Sequence, residues 1–226
     1  MYEVPAVLQS IVDQADGWLE LRCPERALEL LSPLLAEPAA RHAGLVLRIR
    51  ALSRLGDYRT ALRDLDELHQ TGTVDDWVDL TEAWCRRRID DLPGAIRCTE
   101  RLVARNQRSD IGHFNLACYL ALTGERDRAI DALSLACGLN AECRDFARDE
   151  PDFDGLRADA RFRELLRQAA ADGGGTAMPT KAHGHATAAA NDDQHDDGLD
   201  DDFDDDAHDD DDAAHGGAGG PDPAHN

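Results

Sequence analysis

Between residues 77 and 88 the sequence reads W-V-D-L-T-E-A-W-C-R-R-R, and several of these side chains have the chemistry of a recognition surface. Trp77, Leu80, Trp84, Arg87 and Arg88 recur at spacings that fall along one stripe of a helix. Tryptophan and arginine dominate interface energetics, because one buries a large ring and the other forks onto carboxylates. Arg50 and Arg54 add two guanidiniums upstream. The plainer alternative is that both tryptophans pack between helices and the arginines only solubilise.

Catalysis and metal binding find weaker material. The chain has neither G-x-S-x-G nor G-x-x-x-x-G-K-[ST], so no nucleophile elbow or phosphate loop is expected. Asp64, Asp66 and Glu67 read as a solvated helix face, and His42, His69 and His113 have no partner at ligand spacing. Asp193-x-His195-x-Asp197-Gly198 followed by Asp204 imitates a calcium loop, but with His at the third position and Asp at the twelfth. It reads as diffuse cation association in an Asp-rich run. No catalytic residue, metal site or cofactor is expected.

The elements that position the stripe follow from an internal period. Ala27, Ala61, Ala95 and Ala129 are spaced 34 residues apart without insertion or deletion. The columns Leu28/Leu62/Ile96/Ile130, Leu31/Leu65/Thr99/Leu133 and Ala15/Ile49/Ala83/Ala117 keep the same phase. Arg22, Gly56, Asp90 and Gly124 fall where a turn is needed. This pattern resembles the tetratricopeptide repeat, a helix–turn–helix unit of about 34 residues. The nearest matches are LVLRIRALSRLGDYRTALRDLDEL (45–68) and FNLACYLALTGERDRAIDALSLA (114–136).

The resemblance implies an all-α, right-handed superhelical solenoid of about four units, at 8–41, 42–75, 76–109 and 110–143, after a lead-in at 1–7. Small residues at positions 8 and 20 let the two helices of a unit approach closely. Gly56 and Gly124 supply left-handed backbone at the turns, and Pro24 and Pro93 sit in first turns. Unit 3 departs from the pattern, with Asp90 for Gly and Arg86 at a normally apolar position 11. It is therefore expected to pack loosely or to carry a special surface. Residues 141–171 resemble the closing segment of such arrays, with Phe153, Leu156, Phe162, Leu165 and Leu166 apolar among charges.

In this family positions 2, 5, 9, 12 and 13 of each first helix face a concave, peptide-receiving groove. Here they read Gln9, Val12, Asp16, Leu19 and Glu20; Ala43, Val46, Arg50, Ser53 and Arg54; Trp77, Leu80, Trp84, Arg87 and Arg88; Ile111, Phe114, Cys118, Ala121 and Leu122. The expected groove is acidic at one end, Arg-Trp in the middle and apolar at the other. Asn115 matches one residue of the carboxylate clamp of certain co-chaperones, but the clamp's lysines are missing.

Charge divides the chain. The net charge is -22, and residues 172–226 hold 16 aspartates, no glutamate and one base, Lys181. This stretch, opening on a Gly- and Ala-rich linker, is expected to be a disordered acidic tail that either only keeps the chain soluble or competes intramolecularly for the groove. The acidity argues against nucleic acid and anionic membrane as partners. The start lacks the basic region of a secretory signal, and six cysteines without a C-x-x-C pair read as reduced thiols, so the cytoplasm is expected. The function expected is a non-catalytic adaptor binding an acidic partner segment with aromatic or apolar anchors. Alternatives are a chaperone using the Ile111–Phe114–Leu122 end and an RNA reader using Arg50, Arg54, Arg87 and Arg88.

Overall fold

The computed structural model describes residues 4–72 and 75–167, which are helical with short connections. The linker and acidic tail expected at 172–226 lie outside the described residues. The helices are α1 (Ala6–Glu20), α2 (Pro24–Leu30), α3 (Ser32–Ala36), α4 (Arg41–Arg54), α5 (Tyr58–Gln70), α6 (Asp76–Arg88), α7 (Leu92–Arg105), α8 (Asp110–Leu122), α9 (Arg126–Leu139), α10 (Cys143–Asp149) and α11 (Ala160–Arg167). A 3-10 turn at Pro151–Leu156 separates the last two.

One local device makes each antiparallel pair. Arg22, Gly56, Asp90 and Gly124 all take left-handed backbone, with φ of 58°, 75°, 63° and 80°. In each case the next residue's N–H reaches back five positions: Cys23 to Trp18, Asp57 to Leu52, Asp91 to Arg86 and Glu125 to Leu120. This Schellman closure satisfies carbonyls that a helix end leaves open. The same residue then begins the second helix, and the Asp57 and Asp91 side chains accept from Thr60 N–H and Gly94 N–H at 3.1 and 2.9 Å. Ending one helix and starting the next thus takes three residues in every case.

Packing follows the columns. Ala15, Ile49, Ala83 and Ala117 are fully buried, as are Ala27, Ala61, Ala95 and Ala129. Leu31, Leu65, Thr99 and Leu133 are at most 1 % exposed. Thr99 satisfies its hydroxyl by donating back to the Ala95 carbonyl at 2.9 Å. The first pair departs from a regular hairpin. Its second helix breaks at Leu31 into α2 and α3, because Pro33 cannot donate and its ring crowds the preceding turn.

After α9 the chain does not form another long pair. The 3-10 turn folds back onto α8, while α11 packs on α10 and α9. Phe153, Leu156, Phe162 and Leu165 are buried in this closure and Leu166 is half-buried. Cys85, Cys98, Cys118, Cys137 and Cys143 are buried free thiols, and Cys23 is half-buried. Among the described residues no helix is long and apolar enough to cross a membrane.

Candidate peptide groove

The first helices α1, α4, α6 and α8 present the predicted stripe, and the arginines on it are held by the chain itself. Arg50 donates to Asp16, one repeat earlier in the same column, and to Glu20 at 3.4 Å. Arg54 donates to the Leu19 carbonyl near the C-terminus of α1. Arg88 lies over the Trp84 ring, 5.2 Å from its centroid. Arg87 donates to Asp152 of the 3-10 turn at 2.6 Å. Asp16 and Asp152 offset the charge of Arg50 and Arg87, whereas Arg54 is held by a carbonyl and Arg88 by a ring.

The tryptophans serve core and surface together. Trp84 meets the Tyr58 ring edge-on at 5.2 Å and, like Trp77, packs against buried residues of the α4–α6 core while staying half-exposed. Leu80, Val46, Val12 and Ser53 are also half-buried, and Arg54 is exposed. Asn115 is half-buried on α8.

At the α8 end, part of the expected apolar surface meets the chain's own 3-10 turn, while Leu122 stays exposed. Phe153 is fully buried, with its ring edge-on to Phe114 at 5.6 Å and tilted on Phe162 at 5.7 Å. Asp152 sits beside Cys118, whose thiol bonds to it, and faces Arg87. Burial pushes the Asp152 carboxyl up to about 6; the Arg87 charge opposes that rise and nearby Glu150 adds to it. Burial likewise pushes the Cys118 thiol well above its usual range. Sequence reasoning had Phe153 as a cap residue but missed Asp152 and the contact of both with groove positions. No local signal marked it, because the same Asp-Phe pair at Asp145-Phe146 leaves its ring exposed.

No protein-family model matches the chain, and no curated protein does. Among solved structures, MamA 41-end from Desulfovibrio magneticus RS-1 superimposes with a TM-score of 0.59 at 16% identity, covering 73% of this chain and 96% of that one. YrrB, a TPR protein with an unusual peptide-binding site, gives 0.56 at 14% identity, covering 69% and 80%. A further MamA crystal structure gives 0.54 at 15% identity, covering 67% and 92%. The fold is a tetratricopeptide-repeat solenoid.

Against the tetratricopeptide pattern, unit 3 is the unusual one, and it is ionic inside rather than loose. Asp79 and Glu82 stand at normally apolar positions of α6, 0% and 3% exposed. Arg101 on α7 bonds to both, at 2.8 and 2.6 Å. Arg105 joins Asp79 to Asp76, and Arg86 bonds Glu82 at 2.7 Å and Asp91 at 2.9 Å. Burial alone would raise Glu82, but hydrogen bonds from Arg86 and Arg101 hold it at about 2. Two sequence expectations are corrected here. Asp64 is not solvated: it is 4% exposed and takes both arms of Arg48 at 2.6 Å. His69 does acquire partners, since its ring bonds Glu82 at 2.8 Å, and His69, Asp79 and Glu82 offer ligand atoms within 4.8 Å of one another. Between these groups lies the Arg101 guanidinium, 3.4 Å from His69, which already supplies the positive charge that such a trio would seek.

Proposed function

We propose that this chain is a non-catalytic scaffold that binds a segment of another protein along the α1, α4 and α6 part of its concave face. The observation that carries this reading is the contrast along that face. Cys118 is buried beside the chain's own 3-10 turn and the half-buried Phe114 already meets Phe153 there, whereas Val12, Val46, Trp77, Leu80 and Trp84 stay half-buried among arginines. The pairings of Arg50, Arg54 and Arg88 order those side chains in advance, so a partner loses less rotamer entropy on binding them. Half-buried tryptophan beside fixed guanidinium supports a partner segment with carboxylates and an aromatic or apolar anchor. The cysteine composition supports a reducing compartment, the cytoplasm, as its setting.

The chaperone reading loses part of its surface, because Phe114 already meets Phe153 edge-on, while Leu122 stays exposed. The RNA reading is weakened because Arg50 and Arg87 face carboxylates of this chain, which cancel the field a phosphate would need. Pull-down from native lysate with and without nuclease, repeated with Trp84→Ala, tests the proposal. Recovery of one stoichiometric partner, resistant to nuclease and reduced in the variant, supports the scaffold. Nuclease-sensitive recovery, or a broad set of unfolded clients, overturns it.

A further inference from the structure

The 3-10 turn shows, within one chain, what the concave face accepts. Asp152 takes Arg87 at position 12 of one first helix and the Cys118 thiol at position 9 of the next, while Phe153 lies against Phe114 at position 5. A solenoid repeats its surroundings with its period, so the equivalent seat lies 34 residues earlier. There, Phe114 becomes Leu80, Cys118 becomes Trp84 and Arg87 becomes Ser53. All three are half-buried. The apolar floor is kept and enlarged. The cation has moved one residue along, to exposed Arg54 on α4 and to Arg88 beside the Trp84 ring. Arg54 spends one arm on the Leu19 carbonyl, and a guanidinium has five N–H donors.

We propose that the seat formed by Ser53, Arg54, Leu80, Trp84 and Arg88 recognises a partner segment containing Asp-Phe, bound as the chain binds the first two residues of its own Asp152-Phe153-Asp154, whose third residue is exposed and pairs with Arg157. The phenylalanine ring lies on Leu80 and Trp84. The preceding aspartate accepts from the Ser53 hydroxyl and Arg54, within the positive field of Arg88. This specificity rests on the scaffold reading and narrows it from acidic segments in general to one order of residues. The same triplet occurs a second time in this chain, at Asp202-Phe203-Asp204, outside the described residues. That stretch supplies a natural probe.

The experiment titrates a fluorescent peptide of sequence Leu-Asp-Asp-Asp-Phe-Asp-Asp-Asp, residues 199–206, into the full chain carrying Phe203→Ala, so that the chain's own second triplet does not compete. Replacing the peptide phenylalanine by alanine should weaken binding about tenfold or more. Leu80→Ser and Arg54→Glu should each do the same, with circular dichroism unchanged. Arg54 is exposed, so its variant tests the seat even if Leu80→Ser perturbs folding. Equal binding of the two peptides reduces the contact to bulk charge and overturns the proposal, as does indifference to both seat variants. A cellular partner lost with Leu80→Ser whose bound segment lacks an Asp-Phe pair overturns this specificity while leaving the scaffold reading intact.

Discussion

The guanidinium of Arg87 and the carboxylate of Asp152 meet at 2.6 Å although 65 positions separate them in the chain. Arg87 lies in the last turn of α6, and Asp152 is the second residue of the 3-10 turn that returns to α8. The contact ties the closing segment to the middle of the stack. It also buries a carboxyl against a thiol and a neighbouring acid, Glu150, which makes its protonation depend on the fold.

That dependence has a definite sign. The carboxyl rises from an ordinary 3.8 to about 6, so the folded state holds the proton more tightly than the unfolded state. Its contribution is therefore full below pH 4 and is lost as pH rises through 6. Asp152→Asn mimics the protonated form at every pH. In urea melts, wild type should match the variant near pH 4 and fall behind it by on the order of 2 kcal/mol at pH 7. A difference between them that does not change with pH would contradict the assigned cause.

Unit 3 should be sensitive to half-removal of its ionic interior and tolerant of its complete replacement. Arg101→Met leaves Asp79 and Glu82 buried with less compensation and should cost on the order of 3 kcal/mol. Adding Asp79→Leu and Glu82→Leu to that variant restores the apolar character usual at these positions. Denaturant midpoints should then recover most of the loss.

The four turns make a direct test of backbone strain. Gly124 has φ of 80° and open space around its missing Cβ, so Gly124→Ala should cost about 1 kcal/mol through conformation alone. Asp90 takes φ of 63° with a side chain present. Asp90→Gly should stabilise by up to about 1 kcal/mol, read as a higher melting temperature.

At the helix contacts there is no spare volume. Ala61 is 0% exposed, and Ala61→Leu should cost about 1–3 kcal/mol by overpacking while leaving the helical signal in circular dichroism intact. The exposed Arg59 on the same helix should accept leucine with a change under about 0.5 kcal/mol.

What the sequence determined alone is whatever a repeat enforces over a few residues. Ala27, Ala61, Ala95 and Ala129 had to be small because two helices touch there, and Gly56 and Gly124 had to tolerate positive φ because the chain reverses there. Such demands recur at every turn of the solenoid, so they print a period that one chain makes visible. The burial of Phe162 and Leu165 was legible too, through their apolar spacing among charged residues. The partners of charged residues were not. Arg50 with Asp16, Arg101 with Asp79 and Glu82, Arg48 with Asp64, and Arg87 with Asp152 each join separate helices or turns, and an aspartate looks alike in sequence whether it is solvated or buried. Only the stacked structure decides which carboxylate lies within reach of which guanidinium. The same holds for Phe153: its hydrophobicity required a buried place, but the choice of Phe114 on α8 came from the direction in which the chain turns after α10, a property of packing with no local period to reveal it.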